Sequence, residues 1–127
     1  MSRDTVDWVR RAYDAFARRD WDRIGDLLDP DIDFRTTVEA AAGRAGVEAW
    51  IRQADDLIED FVIEIEEVIE AGEDRVVVLV HEHGRGRGSQ VRIEQHLAHV
   101  WTLRDGRAVA LESFVEREEG LAAAGLR

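Results

Sequence analysis

The sequence predicts an α+β fold in which a cone-shaped, curved antiparallel sheet is wrapped by three N-terminal helices, all within a single domain spanning 1–127. Three observations predict it. Apolar residues recur at helical spacing through most of the first half. Four strand-like stretches separated by turn residues fill the second half. The apolar phase of the first of these slips at Val68-Ile69, the mark of a bulge that bends a strand. Helices grouped ahead of a meander of strands imply α+β.

Val6, Val9, Tyr13, Phe16 and Ala17 share one face of a helix over 4–19, with Asp4 or Thr5 at its start. Asp20 opens a shorter helix, Trp21 to Leu28, which Pro30 closes. Ile32, Phe34 and Thr36 alternate with polar residues in a short strand, facing inward. After Gly43 and Gly46 comes a third helix over 46–60, burying Val47, Trp50, Ile51, Ala54 and Leu57. Strands are expected from Phe61, over Arg75–His83, over Val91–Leu103 and over Ala108–Val115, with Asp105-Gly106 as a hairpin turn. Glu116 to Leu126 reads as a short terminal helix or tail.

Composition narrows the class of function. The chain has 127 residues, 45% hydrophobic and 35% charged, enough for a real core. There is no cysteine, which removes disulfides, thiolate metal sites and cysteine nucleophiles and suits the cytoplasm. A formal net charge of -11 argues against nucleic acid as a partner. No signal peptide or membrane span is expected: the longest apolar run is Val76 to Val80. Arg85-Gly86-Arg87-Gly88 reads as a solvated hairpin tip rather than an anion site. Since Val76–Val80 is apolar on both faces, one face has no evident cover. A homodimer through the outer face of the sheet is therefore expected.

The chain also resembles a known superfamily. The matching residues are Tyr13-Asp14-Ala15-Phe16 running into Arg19-Asp20-Trp21-Asp22, then Leu27 to Phe34, Gly43 to Trp50, and Ala98 to Arg107. They are similar to the SnoaL-like, ketosteroid-isomerase-like group of the nuclear transport factor 2-like fold. The resemblance covers nearly the whole chain. It implies a pocket between helices and sheet, and a choice among isomerase, cyclase, dehydratase, hydrolase and inert binder. In the steroid isomerases an aspartate base works against an oxyanion hole of a tyrosine and a protonated aspartic acid. On this sequence the base position falls at Thr36, the tyrosine near Ala12 beside Tyr13, and the acid at His99. Thr36 cannot serve as a carboxylate base, so that chemistry is not inherited. His99 also departs from the acidic residue that SnoaL-like polyketide cyclases carry near that strand position.

Alternation puts Ile93, Gln95, Leu97, His99, Trp101 and Leu103 on one strand face, and the resemblance implies that this face lines the pocket. His99 is the candidate catalytic acid or base, because histidine titrates near neutrality. A turn centred near Arg87 would set His81 across from Ile93 and bring the odd-numbered residues of both strands to the pocket. Tyr13, Phe34, Thr36, Trp50, His81, Gln95, Trp101 and Ser113 are the candidate ligand-binding residues: an apolar wall with a few polar groups. His81 and His83 with His99 would make a metal set, but no carboxylate evidently completes it; no metal is assigned and no cofactor is expected. Glu64 and Glu66 are read as part of a solvated strand face, and Glu94 and His96 as residues of the outer face of the sheet. Two functions stay open: proton-transfer chemistry on a small apolar or polyketide-like substrate, with His99 aided by Tyr13 or Gln95, and a non-catalytic dimeric ligand-binding module.

Overall fold

A computed structural model of the chain describes residues 2–36 and 40–126. Helix α1 (Ser2–Ala17) is followed by α2 (Trp21–Leu27), strand β1 (Leu28–Arg35), a short strand β2 (Ala40–Ala42) and α3 (Gly43–Leu57). Strands β3 (Ile58–Ala71), β4 (Arg75–Gly86), β5 (Arg92–Arg104) and β6 (Arg107–Phe114) then run in sequence, and α4 (Arg117–Ala123) ends the chain. The expected helices and strands are present to within a few residues. The sheet order is β2-β1-β6-β5-β4-β3. It is mixed rather than wholly antiparallel, because β1 runs parallel to β6 while the other neighbours are antiparallel. The chain reaches β1 from helices, not from a hairpin, so nothing obliges β1 to oppose its neighbour.

Local chemistry accounts for the helix boundaries. Asp20 caps α2 by accepting a hydrogen bond from Arg23 N at 3.2 Å. Arg19, with φ 53, turns the chain out of α1 and ties it down through its guanidinium, which donates to Asp55 at 2.7 Å and to the Phe61 carbonyl at 2.8 Å. The buried stripe of α1 centres on Trp8 and Val9, with Phe16 below. Trp8 is 1% exposed, and its indole N–H donates to the Leu27 carbonyl at 3.3 Å.

Strand β3 bends at two register shifts, Glu59/Val62 and Ile65/Glu67, the second close to the expected bulge at Val68-Ile69. Asp60, with φ 53, sits in the first. The bends curl the sheet around α1, α2 and α3. Its inner face carries Val76, Val78 and Val80 of β4, Leu97 and Trp101 of β5 and Leu111 of β6, packed on Trp8, Val9, Phe16, Ile24 and Val47. At the hairpin tip, Arg87 donates to the Asp56 carbonyl at 2.6 Å and Arg85 pairs with Asp60. These basic groups are held by the protein's own acceptors, in line with a hairpin tip.

The outer face has a cover that the sequence did not disclose. Helix α4 lies over Val77, Leu79, Ala98 and Val100 and buries Leu121 and Ala124 against them. The homodimer was expected because this face had no cover within the chain, and α4 removes that reason. Gly120 allows the close approach: a Cβ there would stand 2.6 Å from Ala98 Cβ and 3.3 Å from the Phe114 ring. Gly120→Ala is therefore expected to lower stability by about 1–3 kcal/mol through overpacking. A urea unfolding midpoint equal to the parent's would show that α4 does not press on β5. Among the described residues, no helix is long and apolar enough to cross a membrane.

Candidate functional site

Between the helices and the inner face of the sheet lies a cavity of about 550 Å³. Its wall is mainly apolar: Trp8, Ala12 and Phe16 from α1, Trp50, Ile51 and Ala54 from α3, Leu97 and Trp101 from β5. A few polar groups face into it, among them Tyr13, Glu82, Gln95 and His99. This is the composition of a small-molecule site.

Register decides which polar groups these are. In the β4–β5 hairpin Glu82 stands across from Gln95, Val78 from His99 and His81 from His96. The turn expected near Arg87 lies further along: Gly86 N donates to the Val91 carbonyl at 2.8 Å and Gln90 N to the Gly86 carbonyl at 2.9 Å. His81 therefore pairs three residues away from the expected Ile93. A shift by an odd number exchanges the faces of a strand. His81 consequently points to the outer face, where its ring stacks on His96 with centroids 4.5 Å apart, and Glu82 takes its place at the cavity. His81, His83 and His99 do not converge, since the first two and the third lie on opposite faces.

The remaining expected residues divide. Tyr13, Trp50, Gln95, His99 and Trp101 line the cavity. Phe34 does not: it is 0% exposed and packs behind Trp50, with ring centroids 4.7 Å apart. Ser113 pairs with His99 across β5 and β6 and is buried beside it rather than at the wall. Thr36 lies past the end of β1 and is likewise not a lining residue. Reading the sequence missed Glu82, the only carboxylate at the cavity wall among the described residues.

The polar groups form a chain. Trp101 Nε1–H donates to the Tyr13 hydroxyl oxygen at 2.9 Å. The Tyr13 oxygen is 2.7 Å from His99 Nδ1. With one lone pair of that oxygen engaged by Trp101, its proton donates to Nδ1, which assigns the His99 proton to Nε2. Nε2 faces Glu82 Oε2 at 3.8 Å, too far for a direct hydrogen bond. The other carboxylate oxygen, Oε1, accepts from Gln95 Nε2 at 3.1 Å.

Burial sets the protonation states. His99 is 6% exposed, and loss of water lowers its pKa to about 4, so the ring is neutral at physiological pH. Glu82 is also 6% exposed; desolvation raises its pKa, and the Gln95 hydrogen bond only partly opposes this. The Tyr13 hydroxyl is pushed well above its ordinary value by burial, so it stays protonated. A carboxylate of raised basicity beside a neutral imidazole, in a mainly apolar cavity, offers one group to accept a proton and another to donate a hydrogen bond.

These shifts have opposite effects on stability. Between about pH 4 and 6.5 the unfolded chain protonates His99 while the folded one does not, so His99 destabilises the fold as pH falls through that window. Glu82 holds its proton longer when folded, so its contribution weakens as pH rises above its unfolded value of 4.5. In Glu82→Gln only the first remains. Measured against Glu82→Gln/His99→Gln, which keeps the carboxylates Glu66 and Glu94 whose pKa values are also lowered, the unfolding free energy of Glu82→Gln is expected to rise by about 3 kcal/mol more from pH 4 to 6.5, at ~1.4 kcal/mol per pKa unit. Parallel profiles of the two variants in urea melts would show that His99 is not buried as a neutral ring.

Comparisons with known proteins agree with this architecture. Residues 9–111 match the family model described as a SnoaL-like domain. A nuclear transport factor 2-like protein of unknown function from Burkholderia pseudomallei K96243 shares 27% identity, with 94% of this chain and 95% of that one covered and a TM-score of 0.79. A putative polyketide cyclase from Sinorhizobium meliloti shares 25% identity over 84% of this chain and 93% of that one, with a TM-score of 0.71. A hypothetical protein of ketosteroid isomerase-like fold from Catenulispora acidiphila DSM 44928, in complex with trimethylamine, shares 20% over 94% and 93%, with a TM-score of 0.76. A search of curated proteins found no significant match. With the family match running through α1, the cavity and the sheet as far as Leu111, the chain belongs to the SnoaL-like domain family.

Proposed function

We propose that the cavity takes a small, mostly apolar molecule bearing a carbonyl group, and that Glu82 and His99 together move a proton on it, as in an isomerisation, dehydration or cyclisation. The observation that carries this reading is a buried carboxylate next to a neutral histidine in an apolar cavity. Glu82 removes a proton from the carbon beside the carbonyl; its raised pKa suits it to the task. Charge then gathers on the carbonyl oxygen, and His99 Nε2–H stabilises it by donating a hydrogen bond. Tyr13 and Trp101 are positioning residues: their hydrogen bonds hold His99 in the tautomer that donates. The likeness to a putative polyketide cyclase supports a polyketide-like substrate.

A binding-only reading keeps one observation in its favour. At rest Glu82 Oε1 is taken by Gln95 and His99 Nδ1 by Tyr13, so two of the four polar atoms are already satisfied. Deuterium exchange separates the readings. The protein is incubated in heavy water with a panel of aromatic and polycyclic ketones, and label at the carbon beside the carbonyl is followed by mass spectrometry. Exchange above the solvent rate that disappears in Glu82→Gln is the expected result. Quenching of the cavity tryptophans by a ketone, with no exchange in the parent protein, would leave a binder and reject the proton transfer.

A further inference from the structure

The outer face of the sheet holds a second group of side chains that the cavity chemistry does not use. His81 and His83, two apart on β4, project from the same face, as alternate residues of a strand must. Across the β3–β4 ladder Glu64 pairs with His81. Glu64 Oε1 lies 2.5 Å from His83 Nε2 and 3.8 Å from His81 Nδ1. One ligand atom from each of the three lies within 4.8 Å of the others. Around a tetrahedral zinc ion, ligand bonds of about 2.0–2.2 Å put neighbouring donor atoms roughly 3.3–3.5 Å apart, so the observed spacing brackets what the ion needs. Glu64 is exposed, and small rotations of its side chain can close the difference.

We propose that Glu64, His81 and His83 form a surface site for a divalent transition metal of the zinc type, distinct from the cavity on the other side of the sheet. Two imidazoles and one carboxylate are a donor set that such ions take, with a water completing the shell. A further observation points the same way. His81 Nε2 is buried, makes no hydrogen bond, and has Glu94 Oε1 at 3.4 Å. A histidine that ligates through one nitrogen commonly presents its other N–H to a carboxylate, which fixes ring orientation and raises basicity. With Nδ1 on the metal, His81 offers Nε2–H to Glu94 in that arrangement. The chain's net charge of -11 also favours a cation over an anion.

A neighbouring set, His81 with Glu94 and His96, has a similar span but is the poorer site. His96 Nδ1 is engaged by Glu66 at 3.1 Å and by Arg117 at 3.3 Å, and Arg92 pairs with Glu94 at 2.7 Å. Both guanidinium groups would repel a metal ion there. Glu64 has no such cation among its ion pairs, which are with His81 and His83.

The test titrates the full chain with zinc alone, using a chromophoric chelator as competitor and following thermal stability in parallel. One zinc per chain is expected, with a rise in melting temperature. His83→Gln and Glu64→Gln should each weaken binding at least tenfold and abolish the thermal shift. Glu94→Gln should weaken it about tenfold, as loss of an outer-shell partner does. His96→Gln should leave the affinity within a factor of two or three. Because Glu64, Glu94 and His96 are exposed and His83 is half-buried, the variants are expected to keep the fold, which circular dichroism verifies. Absence of stoichiometric zinc would overturn the proposal. So would binding lost in His96→Gln but kept in His83→Gln, or a small equal decline in every variant, which marks weak adventitious binding.

Discussion

Glu82→Gln is expected to lower proton-exchange turnover by roughly 10²–10⁴-fold, the range of a single general base, while leaving the protein folded. Glutamine keeps the shape of the side chain, and its carbonyl can still accept from Gln95 Nε2, now at 3.1 Å from Oε1. What is lost is basicity alone. Apolar ligand affinity should therefore hold while turnover falls, a split that a folding defect would not produce. His99→Gln should cost turnover too, since it removes the donor to the carbonyl oxygen. Tyr13→Phe should have a smaller effect on rate but release His99 Nδ1, so its signature is a displaced pH profile. If Glu82→Gln exchanges ketone protons as fast as the parent protein, Glu82 is not the base.

The second large effect concerns a residue that sequence reading assigned to the ligand. Phe34→Ala is expected to destabilise the fold by about 3–5 kcal/mol, because it empties a fully buried site. Phe34 supports Trp50 from behind, and Trp50 is a cavity wall. Equilibrium urea unfolding measures the loss. Parent-like stability combined with a large drop in ligand affinity would show that Phe34 contacts the ligand directly and that its packing role is minor.

The contrast between Phe34 and Glu82 shows where reading the sequence stops. Alternation over Ile32, Phe34 and Thr36 correctly turned Phe34 inward, but inward-facing side chains include both the cavity wall and the layer behind it. Only the path of α3, which sets Trp50 between Phe34 and the space, separates the two. For Glu82 the difficulty was different. Val76 to Val80 is apolar on both faces, so periodicity carries no phase for β4, and its orientation rests on the register with β5. That register depends on how many residues the hairpin tip absorbs, and the tip runs further than Arg87. For β5, alternation grouped Leu97, His99 and Trp101 on one face, and the family resemblance, not the pattern, implied that this face is the one turned to the cavity.

Hydrophobic periodicity, turn residues and composition were enough to determine the α+β class, the order of the elements, the bend in the long strand and the sharing of one strand face by Gln95, His99 and Trp101; that this face, with Tyr13 and Trp50, borders a cavity was implied by the family resemblance. What the pattern determined is local: each such property depends on residues within a few positions of one another along the chain. The tertiary structure decided the rest. It set β1 parallel to β6, laid α4 over the face for which a partner subunit was expected, and exchanged His81 for Glu82 at the cavity wall. Each of those outcomes depends on pairing between segments far apart in sequence. In a strand a displacement of one residue moves every side chain to the opposite face, so no local pattern could have given the cavity its carboxylate or gathered the histidines behind it.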